Sequence, residues 1–67
     1  MTDLIVELEE DVVDKNNYYH KGWYFRDAED QLSGRVVRYD YGTRHEYAFR
    51  TRTRAQVALE TYLSYLG

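Results

Sequence analysis

Ala55, Ala58, Leu59, Tyr62, Leu63 and Leu66 recur at i, i+3, i+4, i+7, i+8 and i+11, the spacing that lines one face of an α-helix with apolar side chains. The spacing predicts a helix over residues 53–66, with Gln56, Glu60 and Ser64 facing water. Thr53 and Gln56 fit a capping box, in which hydroxyl and amide each satisfy an orphan backbone N–H. Just upstream, His45 to Phe49 reads as a strand, and Arg50, Arg52 and Arg54 crowd the join. An apolar helical stripe must be buried against something, so the residues before it have to supply a sheet.

That sheet is legible in part. Residues 35–51 read as a hairpin around Asp40-Tyr41-Gly42-Thr43. A three-residue loop, Tyr41 to Thr43, sets Val37 opposite Tyr47, Tyr39 opposite His45, Arg38 opposite Glu46 and Asp40 opposite Arg44. A one-residue slip exchanges the two faces and loses both charge pairs, so this register is the expected one. Residues 22–28 form another strand, with Trp23 and Phe25 inward and Tyr24 and Arg26 outward. The link Glu29 to Gly34 holds one helical turn ended by a left-handed Gly34. Leu4, Val6 and Leu8 alternate as in a strand, whereas Leu4, Ile5, Leu8 and Val12 also fit a helix started at Thr2 or Asp3. The β-branched residues favour the strand. The expected fold is α+β: a small antiparallel β-sheet in the order β-β-β-β-α, alternatively α-β-β-β-α, with the C-terminal amphipathic helix on one face.

At 67 residues the chain is one domain, 1–67. Folding at this size buries only about 60% of the surface exposed by the unfolded chain, and without cysteine no disulfide supplements the core. The core therefore rests on eight Tyr, two Phe and one Trp, each ring burying roughly 150–250 Å². Trp23, Phe25, Val37, Tyr47, Phe49, Leu59, Tyr62 and Leu63 are expected to pack together. A small core also makes a homodimer expected, through the first strand's edge or exposed tyrosines. The longest apolar run near the start, Leu4-Ile5-Val6, is far short of a secretory or membrane-spanning segment. A soluble cytoplasmic protein is expected.

Catalytic and metal signatures are weak. His20 and His45 are the only histidines, they fall on different elements, and neither sits at zinc-ligand spacing, so each reads as a solvated or edge histidine. Ser33 and Ser64 lack the nucleophile-elbow context. The carboxylates of residues 7–14 lack a calcium-loop pattern. No enzyme activity, cofactor or metal is expected.

Charge is more informative. Nine of the twelve acids lie in residues 1–33, and six of the nine bases in residues 34–67, an asymmetry that marks an interaction surface or pairs within the fold. Arg26, Arg38 and Arg50, with Tyr24, project from the sheet face opposite the helix. Arg52 and Arg54 extend that charge to the positive end of the helix, where cations are disfavoured, and with free N–H groups they make an anion site. Phe49-Arg50-Thr51-Arg52-Thr53-Arg54-Ala55 resembles the strand-to-helix join of small β-sheet DNA readers of the AP2 and integrase-arm types, a resemblance that implies nucleic-acid binding through the sheet. The alternative order, α-β-β-β-α, is shared with double-stranded RNA-binding domains, but the basic run that starts their last helix is missing. Against nucleic acid stand the net charge of -3 and the acids of residues 3–14, which repel a polyanion.

The tyrosines exceed what a core this small can hold, and tyrosine is enriched at protein interfaces. The expected function is thus a non-catalytic protein-binding module. Compact, acidic, cysteine-free domains are common among phage and mobile-element accessory proteins that inhibit host enzymes or defence complexes. The expected partner surface is an acidic edge, Glu7, Glu9, Glu10 and Asp11, with Tyr18, Tyr19, Tyr24 and Tyr41. The alternative is nucleic-acid binding through Arg26, Arg38, Arg50, Arg52 and Arg54.

Overall fold

A computed structural model describes residues 3–67; the possible helix start at Thr2 lies outside them. Among the described residues seven strands precede one helix: β1 (Ile5–Leu8), β2 (Val12–Asp14), β3 (Asn17–Tyr19), β4 (Gly22–Arg26), β5 (Leu32–Ser33), β6 (Val36–Asp40), β7 (Thr43–Tyr47) and α1 (Arg52–Leu66). The fold is α+β, as expected, with more strands than the four foreseen. They form two sheets. The first has the order β1-β4-β5 and is antiparallel throughout. The second has the order β2-β3-β7-β6, with β3 and β7 running parallel.

The N-terminal segment is a strand. Ile5 pairs with Phe25 and Leu8 with Gly22, and the helical alternative does not occur. The chain then makes a tight hairpin in which Asp14 pairs with Asn17 and Lys15 takes a positive φ of 56°. Asn16 accepts a hydrogen bond from Arg44 N at 2.8 Å, which starts the parallel pairing of β3 with β7. The link before β5 contains no helical turn. Asp27 Oδ1 instead accepts from the amides of Glu29 and Gln31, and Asp30, not Gly34, adopts the left-handed conformation at φ 61°.

The β6–β7 hairpin is present, but its register differs from the expected one. Asp40 pairs with Thr43 across a two-residue turn, with φ 49° at Tyr41 and 82° at Gly42. Positive φ at both turn residues gives the twist that two-residue hairpins require. Val37 therefore faces Glu46, Arg38 faces His45, and Tyr39 faces Arg44. Turn chemistry outweighs the two cross-strand charge pairs, each worth only about 0.2–1 kcal/mol.

Burial follows from the split into two sheets. Ala55 and Leu59 of α1 bury against Ile5 and Phe25 of the first sheet, with Trp23, Phe49, Ala58 and Tyr62 packed around them. The Phe25 ring lies 5.5 Å from Tyr62 and 6.4 Å from Phe49, and the Tyr62 hydroxyl accepts from Ala28 N. Val37 and Leu63 do not join this core and are exposed, while Tyr47 is only half-buried. Val37 and Tyr47 belong to the second sheet, which the helix does not cover. Leu63 lies in the last turns of the 15-residue helix, where its neighbour Tyr62 makes the contacts with Phe25 and Ala28. The helix starts earlier than expected. Thr51 is the N-cap and its hydroxyl accepts from Arg54 N at 3.1 Å, so Thr53 lies inside the helix. Phe49 still pairs with Trp23, and the chain has only Arg50 in which to leave the sheet before the cap.

Tyr24 is the largest fully buried side chain, at 0% exposure, which corrects the expectation that it faces outward. Its hydroxyl lies between the carbonyl oxygens of His20 and Glu46, and burial pushes its pKa far above the ordinary phenol value. Beside it, Gly34 N donates to Glu46 Oε1 at 2.8 Å. A Cβ on Gly34 would fall 2.2 Å from Tyr47 O, so only glycine fits. Among the described residues no helix is long and apolar enough to cross a membrane.

Leu59→Ala is expected to lower unfolding stability by about 2–5 kcal/mol, and Leu63→Ala by less than about 1 kcal/mol. Urea unfolding monitored by circular dichroism checks both; equal losses would contradict the observed helix face.

Candidate partner-binding cleft

An open cleft of about 730 Å³ lies beside the start of α1. Gly22 and Trp23 are its floor. The backbone of β4 there is paired on one side with Glu7 and Leu8 of β1. On the other side Trp23 N donates to Phe49 O at 3.0 Å, and Phe49 N donates to Trp23 O at 2.7 Å. The cleft thus has one wall from β1 and the bend that follows it, bearing Glu7 and Glu9, and one from Ala48 to Arg50. Arg54 enters from the first helical turn, and Arg35 and Lys21 complete the lining. In β1, Ile5 turns into the core while Glu7 is exposed.

The walls differ in charge. Glu7 and Glu9 face a surface with Arg35, Arg50 and Arg54, and Lys21 lies at the floor end. Among the described residues the ion pairs are Arg26–Asp30, Arg44–Glu46 and Arg52–Asp3, so none of these six cleft residues is neutralised by direct contact. No acid lies in the first helical turn, and the positive end of the helix adds to the basic wall. Arg52 is held differently, 3.5 Å from Asp3 and with its guanidinium 6.0 Å from the Trp23 ring centroid.

Asp11 fixes the rim. Its carboxylate accepts from the Tyr18 hydroxyl at 2.7 Å and from Lys21 N at 2.8 Å. The Tyr18 hydrogen bond, then the Lys21 amide, hold its pKa below the ordinary carboxylate value. Asp3 is likewise lowered, first by the Ile5 amide and then by the Arg52 charge.

The expected partner-binding residues are thus dispersed. Glu7 and Glu9 enter the cleft, and Glu10 is exposed beyond it. Asp11 is engaged with its own chain. Tyr18 and Tyr19 are half-buried, Tyr24 is inaccessible, and Tyr41 is fully exposed at the hairpin tip. The expected arginine face does not form. Arg26 belongs to the first sheet and pairs with Asp30 at 3.6 Å. Arg38 belongs to the second sheet and lies 6.0 Å from the Tyr47 ring centroid. Only Arg50 and Arg54 come together, in the cleft.

His20 and His45, expected as solvated or edge histidines on different elements, are half-buried and hydrogen-bonded, with Nε2 of His20 3.0 Å from Nδ1 of His45. The parallel pairing sets Tyr18 beside His45, and Tyr47 stacks on His20 at 4.2 Å. Sequence separation hid this cluster, because it depends on a parallel pairing that alternation does not signal. No group of three His, Cys, Asp or Glu able to hold a metal occurs among the described residues.

Comparison with protein families, with curated proteins and with solved structures finds no match for this chain.

Asp11→Asn is expected to remove a stabilisation that operates only while the carboxylate is ionised. A folded-state pKa below the unfolded value of about 3.9 gives stability that is complete above that pH and lost as pH falls through the lowered value. Unfolding midpoints of the two proteins should therefore differ at neutral pH and converge near pH ~2. A difference that persists unchanged into acid would contradict the assignment.

Proposed function

We propose that this chain is a non-catalytic protein-binding module that takes a segment of a partner protein into the cleft beside α1. The observation that carries this reading is the pair of oppositely charged walls, without ion pairs to neutralise them, flanking Trp23 and Phe49. A polypeptide segment bearing both acidic and basic side chains matches such a surface, because like-charge contacts are costly and complementary ones fix register. Trp23 on the floor, with Phe49 in the adjoining wall, supplies the aromatic contact that most often dominates binding energy. Size, acidity and lack of cysteine fit a cytoplasmic accessory protein of a phage or mobile element, one that inhibits a host enzyme or defence complex by occupying its surface.

A second reading is nucleic-acid binding, favoured by the excess of Lys21, Arg35, Arg50 and Arg54 over Glu7 and Glu9 in the same cleft. A polyanion would gain from the bases and be repelled by the glutamates.

The two readings predict opposite signs for one variant. Glu7→Lys combined with Glu9→Lys is expected to abolish capture of the protein partner from nuclease-treated lysate, with the fold kept intact by circular dichroism. Binding by the unaltered protein should weaken as salt rises. If the variant instead gains affinity, and the captured material disappears on nuclease treatment, the nucleic-acid reading replaces the first.

A further inference from the structure

The second sheet ends in β6, which pairs with β7 on one side only. At five residues β6 is longer than the other sheet-end strands, β1, β2 and β5, with four, three and two. Arg38, Tyr39 and Asp40 are exposed along it, Tyr39 at 74%, and Tyr41 follows at 100%. Natural edge strands are blunted by proline, lysine, shortness or a covering element. Val36-Val37-Arg38-Tyr39-Asp40 contains neither proline nor lysine and is rich in strand-forming residues.

The hydrogen-bonding direction follows from the turn. Asp40 and Thr43 close a two-residue hairpin, so Asp40, Arg38 and Val36 direct their N–H and C=O groups toward β7. Val37 and Tyr39 direct theirs outward, to the open edge. An added antiparallel strand must therefore place its own outward-directed residues opposite Val37 and Tyr39.

We infer that the occupant is β6 of a second copy of this chain, paired antiparallel with the two-fold axis at Tyr39. Charge selects this register from its neighbours. With Tyr39 opposite Tyr39, Arg38 of each copy faces Asp40 of the other, giving two opposite-charge pairs on one face. Shifting the axis to Arg38 sets two arginines face to face, and shifting it to Asp40 sets two aspartates face to face; like charges directly opposite are destabilising. The strand is thus complementary to itself in one register, as a two-fold interface requires. The same axis brings Tyr41 of each copy beside Val37 of the other, and it joins two four-stranded sheets into one. The edge of β1 (Ile5–Leu8) is a poorer site for self-pairing, because an axis at Glu7 sets two glutamates face to face and an axis at Leu8 sets Glu7 against Glu9 of the other copy. The inference concerns a surface separate from the cleft and does not depend on the proposed function.

The test is the oligomeric state of the full chain and three charge variants, by sedimentation equilibrium from about 1 to 100 µM, a range that brackets micromolar dissociation constants. The unaltered chain is expected to be dimeric at the upper end. Arg38→Asp alone and Asp40→Arg alone should each be monomeric there, with thermal melts that remain cooperative. An equimolar mixture of those two single variants should form a heterodimer, because the altered charges are then opposite in both pairs. The double variant carrying both substitutions should regain the homodimer. Tyr39→Pro removes an outward-directed N–H without touching either charge pair and should also give monomer. A monomeric unaltered chain at about 100 µM would overturn the inference, as would dimers that survive both single substitutions, or a mixture that stays monomeric although both variants fold.

Discussion

Glu46 is the junction on which the arrangement of the two sheets depends. It is a buried carboxylate, 3% exposed, in a chain whose apolar core is small. Oε1 accepts from Gly34 N, fixing the link between β5 and β6. Oε2 lies 2.7 Å from the Arg44 guanidinium, a contact whose N–H geometry falls short of a directed hydrogen bond and which is therefore chiefly Coulombic. The Glu46 carbonyl accepts from His20 N at 3.0 Å and from the Tyr24 hydroxyl, tying β7 to the approach to β4. A buried charge is tolerated only when paired and hydrogen-bonded. The close approach at Gly34, the inward turn of Tyr24 and the parallel seating of β3 on β7 all meet at this residue.

A polar junction explains how so short a chain can carry two sheets. The helix stripe covers only the first, where Ile5, Phe25, Ala55 and Leu59 provide the apolar burial. The second is held by its ladder hydrogen bonds, by Glu46 and by the Tyr18, His20, His45 and Tyr47 ring cluster. Tyr19 packs edge-on against Tyr24, while Val13, Val37 and Tyr39 are left exposed to solvent or partners. The cleft arises from the same division. Gly22 and Trp23 are shared between β1 and the Phe49 segment, so the acidic first strand and the basic helix entrance face each other across one strip of backbone.

Local signals in the sequence locate α1 and the β6–β7 hairpin, because each carries its own repeat or turn; for β1 the repeat fits strand and helix alike, and only its β-branched residues favour the strand. Pairings that depend on distant partners were not legible. The hairpin register shows why. Charge matching favoured a three-residue loop, but Gly42 permits a two-residue turn, and Glu46 forgoes an exposed partner for a buried one that includes a backbone amide twelve residues away. The inward turn of Tyr24 is hidden for the same reason. Alternation with Trp23 and Phe25 sent it outward, toward what is in fact the space between the sheets, and tyrosine composition cannot distinguish that fate from the full exposure of Tyr41. Of the candidate site, Glu7, Glu9, Arg50 and Arg54 were foreseen as charged surface. Lys21, Arg35 and the pairing of Trp23 with Phe49 emerge only with the fold.

The charge asymmetry between the two halves of the chain is resolved by geometry into separate uses. Arg44 serves the Glu46 junction, and Arg52 is held by Asp3. Arg35, Arg50 and Arg54 face Glu7 and Glu9 across a gap instead of closing on them. Arg38 stands two residues from Asp40 on the open edge of β6, where neither makes an ion pair among the described residues. A surface pair within one chain is worth little, typically under about 1 kcal/mol, so little stability is lost by leaving these charges unpaired. The same charges gain value when a partner excludes water from them and supplies the opposite sign, since association rate and register both follow electrostatic complementarity. The net charge of -3 therefore says less about what this chain binds than the positions at which opposite charges stand near each other without contact.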